Sequence, residues 1–348
     1  MPVTAIQLEN IFNSVMDYRI NDGKKPWAQS LQERPLTTAL LKAKKTFPGG
    51  KESITGNVKG AYVSEFKGYS DDDTVGYKNP SEIKQFSYQY KELHAGVEFT
   101  MTELKKSGIS VVNSTTGEKT NNVSEQEKIL ISNLLEDKMD DLEEGSARSF
   151  DLMMHRDGTQ DSKEFAGLSS IVSQTPNVGI TGGLDRATHS WWRNRALCGA
   201  NAIVASDTSS TAIKTLKSEI RQLRRFGGKP NLICCGSEAL RLLESEYVAK
   251  GQTTVTGFSN GADIGIDDLQ IKGIGKIMYD PTMDDEGMEH FLYMLDTNFI
   301  KPYVMEGEDN KMHYPARPAE KYVLFRAITW TGGLVCNKLN AHGVYEIK

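Results

Sequence analysis

Ser81 and Lys84 stand in a Ser-x-x-Lys spacing, in which a lysine amine can take the proton of a serine nucleophile. The pattern is short enough to arise by chance, and it lies in a polar stretch rather than at a strand–helix junction. The acidic runs Asp71-Asp72-Asp73, Asp140-Asp141 and Asp284-Asp285-Glu286 carry oxygens of the kind calcium takes. They lack the alternation of ligands around a mid-loop glycine, so solvated loops or helix faces fit them better. Trp191-Trp192 with Arg193 and Arg195 has the composition of a base-stacking platform. No basic stripe surrounds it in sequence, which favours core and interface aromatics. Gly117-Glu118-Lys119-Thr120 and Gly227-Gly228-Lys229-Pro230 fall short of a phosphate loop. Gly261-Ala262-Asp263-Ile264-Gly265 and Gly273-Ile274-Gly275 lack dinucleotide spacing. His94, His155, His189, His290, His313 and His342 are scattered, with no His-Glu-x-x-His pair. The residues nominate no catalytic group, no metal ligand and no cofactor.

The elements that would have to position such groups are drawn out instead. The chain has 348 residues, enough for two ordinary domains or one elongated one. Apolar residues make up 38% and the mean hydropathy is −0.45, a lean core that arms and loops would explain. A net charge of −5, with acids and bases interspersed, argues against a nucleic-acid reader. Cys198, Cys234, Cys235 and Cys336 form no Cys-x-x-Cys pair, and the run Leu232-Ile233-Cys234-Cys235 predicts buried, reduced thiols. Met1-Pro2-Val3-Thr4 does not open a signal peptide, and no apolar run reaches the ~18–20 residues of a membrane span. An intracellular protein is expected.

Apolar spacing predicts a helix over residues 4–20 and a shorter one from Pro35 to Lys45, an arm that packs on something else. From Lys51 the chain reads as a polar ribbon, with strands at Ile54–Phe66 and Phe86–Met101 around a tip at Gly68–Asp73. Phe86, Tyr88 and Tyr90 alternate on even numbers, whereas Leu93, Ala95, Val97, Phe99 and Met101 alternate on odd ones. That change of phase predicts a β-bulge near Lys91–Glu92. Ser124 and Glu127 form a capping box for a proline-free helix ending at Arg156, with Ile131, Leu134, Leu135, Met139, Leu142, Phe150 and Met153 on one face. Such a helix is ~45–50 Å long. Gly145 within it predicts a bend or close packing, and Asp157-Gly158-Thr159 ends it. Residues 165–200 are loop-rich. Helices at Ser210–Arg225 and Ser237–Lys250 then flank a buried strand at Asn231–Cys235. Strands at Leu269–Ile271, Ile274–Tyr279, Phe291–Asp296 and Tyr322–Leu334 complete an α+β pattern, the last able to pair with the ribbon base.

This order of parts resembles the major capsid (coat) protein family of tailed bacteriophages, whose fold encapsulin shells share. His155-Arg156-Asp157-Gly158, Gly182-Gly183-Leu184-Asp185-Arg186, Ser190-Trp191-Trp192-Arg193-Asn194 and Thr331-Gly332-Gly333-Leu334-Val335-Cys336-Asn337 carry the likeness. The resemblance implies a tailed-phage capsid-type α+β fold. It would comprise an N-terminal arm (1–50), an extended β-hairpin loop (51–90) and a peripheral domain (91–200) whose spine helix covers about 124–156. An axial domain (201–314) and return strands of the peripheral domain (315–348) would follow. Inter-subunit contacts would fall to Phe12 and Trp27 of the arm, to Lys59, Phe66, Lys67, Tyr69 and Lys78 of the loop, and to Trp191, Trp192 and Arg193.

The function so implied is structural and non-enzymatic: an icosahedral shell of hexamers and pentamers that encloses double-stranded DNA without sequence-specific binding. Such a subunit is assembled in the host cytoplasm and resides in the virion. About fifty residues precede the ribbon, fewer than a fused scaffolding segment needs, so a separate scaffolding protein is expected beside a portal and an optional decoration protein. Lys59, Lys67, Lys78 and Lys84 with Asn337 are too ordinary an inventory to imply covalent cross-linking. Two rivals stand beside this reading: an encapsulin-like compartment around a cargo enzyme, and a hydrolase built on Ser81 and Lys84 or on a carboxylate pair.

Overall fold

The structure, a computed structural model, describes residues 32–62, 64–79, 83–100, 102, 125–206, 211–249, 269–271, 275–315 and 323–348. The helix expected over 4–20, the capping residue Ser124, and the contact residues Phe12 and Trp27 lie outside them. The chain divides into two compact units, one formed from Leu93–Phe150 and Gly307–Trp330, the other from Gln32–Glu92, Asp151–Glu306 and Thr331–Lys348.

In the second unit Pro35 opens helix α1 (Pro35–Lys42), where its missing N–H is no loss. Leu36 and Leu40 are buried, and Thr37 hydroxyl donates to Asp151. β1 (Lys45–Phe47) then pairs in parallel with β12 (Ile300–Met305). Residues 35–47 thus pack within the second unit, the surface that this part of the expected arm packs on. β2 (Ser53–Lys59) and β3 (Ile83–Gln89) form a two-stranded antiparallel ribbon, shorter than expected. Phe86 and Tyr88 are buried on one face of β3, and its other positions are exposed.

The strand breaks at Tyr90, and β4 (Lys91–Thr100) follows with its odd residues turned inward. The change of phase is real, but it is not a bulge within one ladder. β3 pairs with β2, and β4 pairs with β14 (Val323–Cys336), so the chain changes sheets where it changes phase. The expected pairing of the closing strand with the ribbon base is therefore observed.

α2 (Glu125–His155) is the long helix, 31 residues or ~46 Å at 1.5 Å per residue. In the first unit it buries Met139 and Leu142, and Phe150 meets Trp330 edge-on with ring centroids 4.8 Å apart. In the second unit its last turn buries Asp151, Met154 and His155, whereas Met153 is only half-buried. Gly145 is exposed, and a Cβ there would meet open space, so close packing does not explain this glycine. In the first unit β13 (Lys311–His313) also pairs with β14.

Short elements follow α2: α3 (Leu168–Ile171), β5 (Ile180–Thr181), β6 (Leu184–Asp185) and β7 (Arg195–Leu197). Next come α4 (Thr211–Arg225), β8 (Leu232–Cys235), α5 (Ser237–Ala249), β9 (Leu269–Ile271), β10 (Gly275–Tyr279), α6 (Pro281–Asp285) and β11 (Phe291–Leu295). A six-stranded sheet runs β7-β15-β11-β8-β10-β9, where β15 is Gly343–Glu346. Its central strand β8 is buried at every position, which is why Leu-Ile-Cys-Cys shows no alternation. Leu216, Ile220 and Leu223 of α4 and Leu243 of α5 pack with Ile233, Leu292 and Tyr345 in one core. β15 thus joins the sheet of the 201–314 region, although the sequence placed 315–348 wholly with the peripheral strands. Backbone pairing of a four-residue strand leaves no composition signal that names its sheet.

Candidate inter-subunit surface

β2 and β3 hold out a segment, residues 60–79, that forms no strand among the described residues. Its tip is a turn in which Asp73 N–H donates to Ser70 carbonyl (2.9 Å) and Ser70 N–H donates to Asp73 carboxylate (2.8 Å). Tyr62 is 87% exposed, Tyr77 97%, and Phe66 is fully exposed; Tyr69 and Val75 are also open to solvent. Glu65 carboxylate pairs with Lys78 (2.7 Å) and Lys67 (3.5 Å), and Lys59 ammonium sits 4.3 Å from the centre of the Tyr62 ring. Exposed pairs of this sort add little stability. The aromatic rings matter more, because burying one against a partner is worth ~1.5–3 kcal/mol.

The base of the ribbon is gripped firmly. Trp192 is 2% exposed; it stacks on Phe86 (6.3 Å, 12° between planes) and donates its indole N–H to Thr181 carbonyl (2.9 Å). Trp191 lies so close over Gly60 that a Cβ there would come within 2.5 Å of its indole. Ser87 N–H donates to Gly182 carbonyl (2.9 Å), and Tyr88 hydroxyl donates to Cys336 carbonyl (3.2 Å). Gly182 has φ +58 and faces the Tyr88 ring, a place where only glycine fits. Arg193 guanidinium donates to the Arg186 and Ala187 carbonyls (2.6 and 2.8 Å) and to Asn177 (3.1 Å). Arg186 in turn donates to the Ser170 and Ile171 carbonyls, and burial pulls its guanidinium below its ordinary value.

The residues nominated from sequence therefore separate into two groups. Lys59, Phe66, Lys67, Tyr69 and Lys78 are on or beside the projecting segment. Trp191, Trp192 and Arg193 hold the ribbon base within the chain, and Trp192 has almost no surface left to offer a base or a neighbour. Tyr62, Val75 and Tyr77 were missed. For Tyr62 and Tyr77 the available signal was an aromatic side chain in an otherwise Gly- and Asp-rich stretch; Val75 carried none.

Among the described residues, several groups with chemical potential are engaged in the fold. Ser81 lies outside the described residues, and Lys84 is exposed on β3. Asp284 accepts from Ser237 N–H (2.9 Å) and Tyr279 hydroxyl (2.7 Å), so α5 is capped by a distant carboxylate rather than by Ser237 itself. Glu286 pairs with Arg156 at 2.9 Å, and Arg195 pairs with Glu219. Burial pushes the Cys235 and Cys336 thiols up to about 12 and Cys198 up to about 11, which keeps them protonated and unreactive near neutral pH. His155 has both ring nitrogens engaged, Nδ1 with Asp151 carbonyl (2.8 Å) and Nε2 with Asp280 carboxylate (3.1 Å).

No family model matches the chain, and no curated protein sequence does. Solved structures do. The chain is similar to the capsid asymmetric unit of cyanophage A-1(L), with 16% identity, 92% of this chain and 95% of that one covered, and a TM-score of 0.63. The capsid of Myoviridae phage XM1 matches at 10% identity over 93% and 95% of the two chains, TM-score 0.53. The capsid of a native GTA particle matches at 11% identity over 94% and 97%, TM-score 0.53. The fold is the tailed-phage capsid fold. The likeness covers most of both chains, 92% of this one and 95% of the other. The tailed-phage capsid fold also accounts for the α+β order of elements and the 31-residue helix read from the sequence.

Proposed function

We propose that this chain is the major capsid subunit of a tailed phage or prophage, a structural protein that assembles with copies of itself into a shell around double-stranded DNA. The observation that carries the reading is the match of 92% of the chain to a phage capsid subunit at a TM-score of 0.63. The 60–79 segment supports it. The segment presents Tyr62, Phe66, Tyr69 and Tyr77 with nothing of its own to cover them, which suits a surface completed by a neighbouring subunit. In this reading Lys59, Lys67 and Lys78 lie at the rim of that contact. Hexamers and pentamers, a scaffolding protein, a portal, a decoration protein and residence in the virion belong to the same proposal. Among the described residues no helix is long and apolar enough to cross a membrane.

Negative-stain electron microscopy with light scattering on the purified protein tests the proposal. Uniform hollow particles, or free hexamers and pentamers that close on addition of a scaffold, are expected. A protein that stays monomeric or dimeric at high concentration and with scaffold refutes it. Particles from the producing cells that protect protein cargo rather than DNA from digestion would instead identify a nanocompartment.

A further inference from the structure

The charges of this protein are interspersed along the sequence, yet folding separates them on α4. Ala212, Ile213, Leu216, Glu219, Ile220 and Leu223 turn inward, and the helix's only acid, Glu219, is buried and paired with Arg195. The outward residues are Lys214, Lys217, Ser218, Arg221, Arg224 and Arg225, a face with cations on every turn and no acid. Among the described residues no carboxylate pairs with any of these five cations. The stripe leads into a cleft of ≈ 460 Å³ lined by Arg224, Gly227, Gly228, Lys229 and Pro230, and Lys338 ammonium lies beside Gly227.

Local stability does not account for the pattern. The helix dipole favours Arg224 and Arg225 in the last turn, but it disfavours Lys214 near the N-terminus, where the first turn holds no acid. Lys214 with Lys217, Lys217 with Arg221, and Arg221 with Arg225 are like-charged neighbours at three- and four-residue spacing, each of which weakens the helix. The helix bears this repulsion in a chain whose net charge is −5. A partner with regularly spaced negative charge would relieve it. Protein-binding surfaces have apolar or aromatic centres; here the only such side chain is Phe226, just past the helix end beside Arg225, and the outward positions from Lys214 to Arg225 include none. Long cationic side chains with Ser218, Thr215 and Gln222 between them match a surface that follows phosphates.

We propose that the outer face of α4 is a sequence-independent binding surface for the phosphate backbone of duplex DNA. The choice of duplex DNA as the polyanion rests on the shell reading; the cationic surface itself does not. Four or five phosphate contacts predict a log–log salt slope near −4, hence ~10²-fold weaker binding as salt rises from about 50 to about 200 mM.

Fluorescence anisotropy of the full chain with two labelled duplexes of unrelated sequence measures this, beside the quadruple variant K214Q/K217Q/R221Q/R225Q. All four positions are at least partly exposed, so the variant is expected to fold, and circular dichroism checks it. Equal affinity for both duplexes, a slope near −4, and a slope above −1 in the variant are the expected results. Absence of binding by the wild type at about 50 mM salt, or an unchanged slope in the variant, overturns the proposal. A poly-glutamate peptide that binds as tightly as DNA and displaces it would also overturn it, and would assign the face to an acidic protein segment. Electron microscopy of the same samples keeps the two readings apart. Wild-type shells, or hexamers and pentamers that close with scaffold, without DNA binding refute this inference alone, and a wild type that forms none of these refutes the shell reading whatever the anisotropy shows.

Discussion

At the scale of single residues, Glu246 is the N-cap of a helix to which it does not belong. It is fully buried in α5, yet its carboxylate accepts from the Ser206, Ala212 and Ile213 N–H groups at 2.6, 3.0 and 3.1 Å, where α4 begins. Glu246→Ala would leave buried donors unsatisfied, and a loss of ~3 kcal/mol by urea denaturation is expected, with Glu246→Gln losing less. Two buried histidines bias stability in opposite directions with pH. Burial pulls His342 down to about 4, and its Nδ1 accepts from Asp296 N–H (3.2 Å), a bond that only an unprotonated Nδ1 can make. Its contribution is therefore complete above the unfolded value of 6.5 and is lost as pH falls from there to about 4, by roughly 3 kcal/mol. For His155, burial acts downward, but the hydrogen bond and charge of Asp280, with Asp151, outweigh it and raise the value. That contribution is complete below 6.5 and is lost as pH rises through the raised folded value. His342→Asn, which keeps an acceptor near Nδ1, should flatten the denaturation midpoint between pH 6.5 and 4 relative to wild type. An unchanged slope would show that other groups set the acid limit.

At the scale of elements, the long helix and the ribbon are stabilised by different means. α2 propagates for 31 residues because its sequence is free of proline, and it is anchored by packing at Met139, Leu142, Phe150 and Met154. Gly145 sits inside that continuous helix without a packing reason, since a Cβ there touches nothing. Gly145→Ala is expected to stabilise the isolated subunit by about 0.5–1 kcal/mol, read as a higher melting temperature. The ribbon has the opposite character. Two seven-residue strands are marginal alone, and Trp191, Trp192, Tyr88 and Gly182 supply the packing that seats them.

At the scale of the whole molecule, a subunit that keeps four aromatic rings in water is incomplete by itself. Lys59 and Ile83 already face each other across the ribbon, so residues 60–82 can be replaced by a two-residue Asn-Gly turn. The shortened protein is expected to fold, with its melting temperature within a few degrees of wild type, and to form no shells by electron microscopy. Normal shells from it would remove the 60–79 segment from the assembly contacts. The capsid fold was legible because it is written in long periodic signals: a three-to-four spacing sustained through α2, and an alternation that changes phase at Tyr90. The contact surface was only half legible. Phe66 and Trp192 are both aromatic residues in loop-like sequence, and nothing local distinguishes the ring left in water from the ring stacked on Phe86.

Helix periodicity, strand alternation and the polar ribbon follow from side-chain order along the chain, so the sequence alone determined the long helices, the ribbon and the longer strands in their order. It did not determine short elements such as β1, β12 and β15. Partners distant in sequence were decided only by tertiary structure: β15 beside β11, Asp284 capping α5, Glu246 capping α4, Trp192 on Phe86. The cationic face of α4 belongs with them in part. Its residues are evident in the sequence, but the burial of Glu219 against Arg195, which removes the one opposing charge, required the fold.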